Sequence, residues 1–112
     1  MEDRRQKGRI QTSLAIIAAN PPVSPDARII NMGFGGAFIA TDCPLPEDSA
    51  LAIDIQLPGD PERITVNARV VWNKSVSNAT SAGMGIEFTD ILDRHQTRLS
   101  RFIEQNLSAD GV

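Results

Sequence analysis

The sequence is poor in the residue types that most often carry out chemistry. Its 112 residues hold one cysteine, one histidine and no tyrosine. With Cys43 alone no intrachain disulfide forms, which excludes a secreted disulfide scaffold. A single histidine, His95, and a single thiol leave no Cys/His cluster for a metal and few partners for a nucleophile or general base. A hydrolase is therefore the least supported class, and His95 reads as a packed or solvent-facing helix residue. Aromatic residues make up only 4% of the chain, and 14 acidic residues against 11 basic ones leave a net charge of -3. Binders of single-stranded nucleic acid need stacking platforms and a basic groove, so no nucleic-acid partner is expected. The longest apolar run, Leu14 to Ala19, is far short of the ~20 residues that span a bilayer. The opening stretch, Met1 to Arg5, lacks the apolar core of a signal peptide. These absences predict a cytoplasmic protein with no membrane insertion.

What remains is an ordinary globular composition, 41% hydrophobic and 22% charged, at a length that suits one domain. Residues 1–9 are polar and basic and read as a mobile arm. A domain follows over 10–108, and residues 109–112 read as a fraying tail. Ile10, Thr12, Leu14, Ile16 and Ala18 fall on one face of a strand of period two. Asn20, Pro21 and Pro22 break it. Arg28 to Asn31 reads as a short strand, the stretch from Asn31 to Gly36 as a loop, and Ala37 to Thr41 as the next strand. Leu51, Ile53, Ile55 and Leu57 alternate with polar or small residues. Beyond the turn residues Pro58 to Pro61, so do Ile64, Val66, Ala68, Val70 and Trp72, which together predict an antiparallel hairpin with one buried face. Trp72 reads as core, or as a rim residue beside a ligand. A last strand near Met84 to Phe88 leads to Thr89 and Asp90, which suit a helix N-cap with Asp93 in the first turn. Leu92, Leu99, Phe102, Ile103 and Leu107 then recur at helical spacing. The fold class is mainly β: a small antiparallel barrel of about six strands with one C-terminal amphipathic helix.

Two stretches stand out. Arg4, Arg5, Lys7 and Arg9 concentrate positive charge in an acidic chain, either as a solvated terminus or as a clamp for phosphates and flat rings, which guanidinium groups bind well. Asn31, Gly33, Gly35 and Gly36 lie between two strands, either as a plain tight turn or as a place where an amide reads a ligand edge and bare backbone comes close.

In this order, ahead of this strand pattern, the two stretches resemble the PilZ domain family. Arg5 and Arg9 match the arginines of its RxxxR motif, and Arg4 matches the arginine that often precedes them. Asn31 and Gly36 match the first and last positions of its [D/N]xSxxG motif. The stretches Ala68 to Trp72 and Gly83 to Phe88 are similar to PilZ strands. The resemblance implies a six-stranded split barrel and binding of cyclic di-GMP, with no cofactor and no catalysis. Arg5 and Arg9 would clamp phosphate and stack on guanine, Asn31 would bond a guanine edge, Gly36 would admit the backbone, and Arg4 would add charge. Gly33 replaces the motif's serine, and loss of one hydroxyl contact predicts binding weaker by roughly tenfold to a few hundredfold. Two functions follow from the resemblance. One is a cyclic di-GMP receptor, monomer or homodimer, that orders its arm on the nucleotide and signals through a protein partner. The other is a PilZ-like interaction module in pilus or motility regulation that binds the nucleotide weakly or not at all.

Overall fold

Alternating apolar residues form the strands, and bulges bend them into closure. The computed structural model describes residues 8–74 and 82–110. Six strands, β1 (Ile10–Asn20), β2 (Arg28–Met32), β3 (Gly36–Ala40), β4 (Ala50–Ile55), β5 (Ile64–Lys74) and β6 (Gly83–Ile91), precede one helix, α1 (Asp93–Asp110). The strands close in the order β1-β2-β3-β6-β5-β4, and every pairing is antiparallel. The predicted six-stranded barrel with a C-terminal helix is thus the fold observed.

The β4–β5 hairpin has the register that its alternation requires, Leu51 opposite Ala68, Ile53 opposite Val66 and Ile55 opposite Ile64. All six are buried, alongside Ile10, Leu14, Ile29, Met32, Ile39, Val70, Met84 and Ile86. Helix α1 closes one side of this core with Leu99 and Ile103, flanked by Phe102 and Leu107. His95 is buried on the helix, and its Nδ1 accepts a hydrogen bond from the Thr65 backbone N–H at 3.3 Å. Arg98 ties the helix to the β4–β5 turn: its Nε donates to Asp60 Oδ2 at 2.8 Å, and its Nη2 reaches the Glu62 carbonyl.

Four local readings differ from the structure, each for a physical reason. An extra residue, Ile17, sits between the pairs Ile16–Ile55 and Ala18–Asp54. This bulge turns Ala18 to solvent and Ala19 toward the core. A second bulge places Val71 between the pairs Val70–Ile86 and Trp72–Gly85. Trp72 therefore leaves the buried row and is 44% exposed. The supposed loop from Asn31 to Gly36 is mostly strand: Asn31 and Met32 belong to β2 and Gly36 opens β3, leaving residues 33–35 as the turn. Finally, Thr89 and Asp90 are not a helix cap but part of β6, where Asp90 pairs with Asn67 and Ile91 with Val66. The first helical bond runs from Gln96 N–H to the Leu92 carbonyl, and Leu92 itself is exposed.

Candidate functional site

One register row crosses five strands on the outside of the barrel. Gln11 pairs with Asn31, Asn31 with Phe38, Phe38 with Gly85, and Gly85 with Trp72. The row floors an open cleft of about 560 Å³, completed by Arg9, Ile30, Ala37 and Lys74. Its chemistry changes along its length. At the β1 end lie a guanidinium and two carboxamides. At the β5 end lie two aromatic rings and an ammonium.

Gly85 makes the aromatic end possible. It lies between Phe38 and Trp72 in the row, and a Cβ there would fall 2.3 Å from the indole Nε1. With no side chain in the way, the indole folds over Gly85 and stacks on Phe38, with ring centroids 5.3 Å apart and planes 23° from parallel. Lys74 places its Nζ 6.0 Å from the centre of the Phe38 ring, within cation–π range.

At the other end Arg9 Nε donates to Asn31 Oδ1 at 2.5 Å. Because Nε–H can only donate, the acceptor must be the carboxamide oxygen, and the Asn31 amide N–H groups remain as donors. Partial burial pulls the Arg9 guanidinium below its ordinary pKa range. It stays a cation at neutral pH all the same, because arginine starts so high. Gly33 N–H bonds the Gly36 carbonyl at 2.9 Å and tightens the turn beside the cleft. A Cβ on Gly36 would sit 2.3 Å from the Ile86 carbonyl oxygen, so glycine there serves the approach of β3 to β6.

The structure thus brings Arg9 and Asn31 together, with Gly33 against Arg9 and Gly36 one turn away. Arg4 and Arg5 lie outside the described residues. The sequence pattern does not single out Gln11, Phe38 or Lys74. The outward register of Phe38 and Trp72 depends on bulges that periodicity cannot place. Away from the cleft, Arg69 links Asp48 at 3.0 Å and Glu87 at 2.7 Å in an exposed ion-pair network. Among the described residues no group of three or more His, Cys, Asp or Glu is placed to hold a metal ion, and no helix is long and apolar enough to cross a membrane.

Comparison with protein families matches the PilZ domain over residues 3–105. Among solved structures, the Bacillus subtilis inhibitor of motility MotI/DgrA is similar, with a TM-score of 0.75 and 19% identity over 91% of this chain and 50% of that one. The chain therefore spans half the length of that structure, and at this identity the likeness is one of fold. Comparison with curated proteins finds no match.

Proposed function

The chain belongs to the PilZ domain family, and from that membership we propose that it is a cyclic di-GMP receptor that signals through a protein partner. The observation that carries this reading is the contact between Arg9 and Asn31 at one end of a cleft with a stacked aromatic pair at the other. Cyclic di-GMP offers two phosphates and two guanines, and the cleft offers a partner for each kind of group. Arg9 supplies charge-assisted donors to a phosphate and a flat face to a guanine. The amide N–H groups of Asn31, which are donors, suit an acceptor on a guanine edge. The exposed face of Trp72 is a further stacking surface, and Lys74 a second cation. Gly33 lies against the Arg9 side chain, and Gly36 lets β3 close on β6 beside the cleft. Arg4 and Arg5 add positive charge from the segment before Arg9, and their engagement orders that segment on the ligand. The resulting change of surface is what a partner reads. The site recognises its ligand and transforms nothing.

A second reading rests on Gly33, which lacks the hydroxyl of the family motif. In that reading the chain is an interaction module that binds the nucleotide weakly or not at all. Motility is one setting for it, since the fold relative MotI/DgrA is an inhibitor of motility.

Calorimetric titration of cyclic di-GMP into the native chain and into an Arg5→Ala/Arg9→Ala variant separates the two. Micromolar or tighter binding by the native chain, lost in the variant, is the expected result. Absence of heat from both, with circular dichroism showing folded protein, overturns the receptor reading in favour of the interaction module.

A further inference from the structure

Gly33 has no conformational reason to be glycine. Among the described glycines only Gly8 and Gly59 have positive φ, so the backbone at 33 is one that any residue can adopt. The reason lies in what fills the space where its side chain would be. A Cβ at Gly33 would stand 3.3 Å from Arg9 Cγ, 3.2 Å from Arg9 Nη1 and 3.0 Å from the Gly8 carbonyl oxygen. The Arg9 side chain, from stem to tip, thus lies across the bare face of Gly33 on its way to Asn31. Gly8, at φ 87, is the hinge that turns the chain into this position, with the Phe34 ring of the same turn beside it.

We propose that Gly33 is a positioning residue: it seats the Arg9 side chain against the turn and holds the guanidinium on Asn31 before any ligand arrives. The missing hydroxyl is therefore exchanged for a preorganised arginine rather than simply lost. Seating has a second effect. With its Oδ1 engaged by Arg9, Asn31 is left with its amide N–H groups as donors at the cleft, so an acceptor edge is favoured at that point. This effect on binding rests on the reading of the cleft as a nucleotide site; the seating itself does not.

Nuclear magnetic resonance of the ligand-free protein tests the seating. In the native chain, cross-relaxation should connect the Gly33 Hα protons with the Arg9 Hγ protons, and its absence overturns the proposal without recourse to any variant. Gly33→Ala should move the Arg9 Nε–Hε resonance toward that of a solvated arginine, as should Asn31→Ala, which cuts the hydrogen bond directly. A Gly33→Ala resonance at the native position also overturns it. Titration with cyclic di-GMP then measures the consequence. Gly33→Ala should weaken binding roughly threefold to tenfold, the entropy of one unseated long side chain. Gly33→Ser should gain nothing over the native chain, because the restored hydroxyl displaces the arginine. If Gly33→Ser binds at least tenfold tighter while Gly33→Ala matches the native chain, glycine was only a lost contact and the proposal fails. If no form binds, the receptor reading fails and the resonance data alone decide the seating.

Discussion

At the scale of single residues, two strand glycines predict opposite outcomes for the same substitution. In Gly36→Ala the new methyl meets the Ile86 carbonyl oxygen at 2.3 Å. That oxygen is backbone of the neighbouring strand, so relief requires prising β3 from β6. The expected loss is about 1–3 kcal/mol, the usual cost of overpacking, read as a lower urea midpoint at constant slope. In Gly85→Ala the methyl meets the Trp72 indole, also at 2.3 Å, but that ring is 44% exposed and can swing outward. Stability should change by less than about 1 kcal/mol, while the emission of the only tryptophan shifts to longer wavelength. Unchanged emission would show that the ring does not rest on Gly85. Arg9 and Asn31 were legible in the sequence because a charged cluster and a glycine-flanked amide are local patterns. The pairing of Phe38 with Trp72 was not, although Trp72 itself had a rim reading, because their meeting depends on a glycine on a third strand.

At the scale of elements, the apolar residues of the helix and its approach divide sharply. Leu99 and Ile103 are 2% and 0% exposed, whereas Leu92 is 58% exposed. Leu99→Ala or Ile103→Ala should cost about 2–5 kcal/mol, and Leu92→Ala should stay within about 0.5 kcal/mol, all three measured by urea denaturation. The helical stripe was legible from Leu99 onward, and only its start was misplaced. Thr89 and Asp90 are good capping residues, yet long-range pairing with Asn67 and Val66 keeps this stretch in the sheet and overrides the local preference. The helix is also fastened at a titratable point. The Arg98 hydrogen bond, followed by the Glu62 backbone N–H, holds the Asp60 carboxyl below its ordinary range. Because the folded-state value is depressed, the clasp is fully effective above about pH 4 and is lost as the pH falls through that lowered value. The urea midpoint of the native chain should therefore drop more steeply than that of Asp60→Asn as the pH falls below about 4. Parallel curves would mean that the clasp adds nothing.

At the scale of the whole molecule, the β4–β5 hairpin was legible because a turn and two alternating runs are neighbours in sequence. The closing contacts were not: β1 with β4 and β3 with β6 join strands that only tertiary structure brings together. Bulges carry much of this closure, and each of three leaves one aliphatic residue, Ile17, Ile30 or Val71, partly exposed. Since the cleft row uses five of the six strands, a ligand seated on it should protect the barrel as a unit. Cyclic di-GMP at a hundredfold excess over its Kd should add about 2.7 kcal/mol and raise Tm by ~10 °C. Tryptophan emission and far-ultraviolet dichroism should report the same rise. Separate midpoints for the two probes would show the cleft coming apart ahead of the barrel.

The same row sets the order of events during synthesis. Its members begin at Gln11 and end at Gly85, and neighbours in space are as many as 47 positions apart along the chain, from Phe38 to Gly85. In a nascent polypeptide the row is incomplete until β6 has left the ribosome and found β3 and β5. A ligand that needs the whole row would thereby meet its site only on folded barrels, with no competition from the half-made chains behind them.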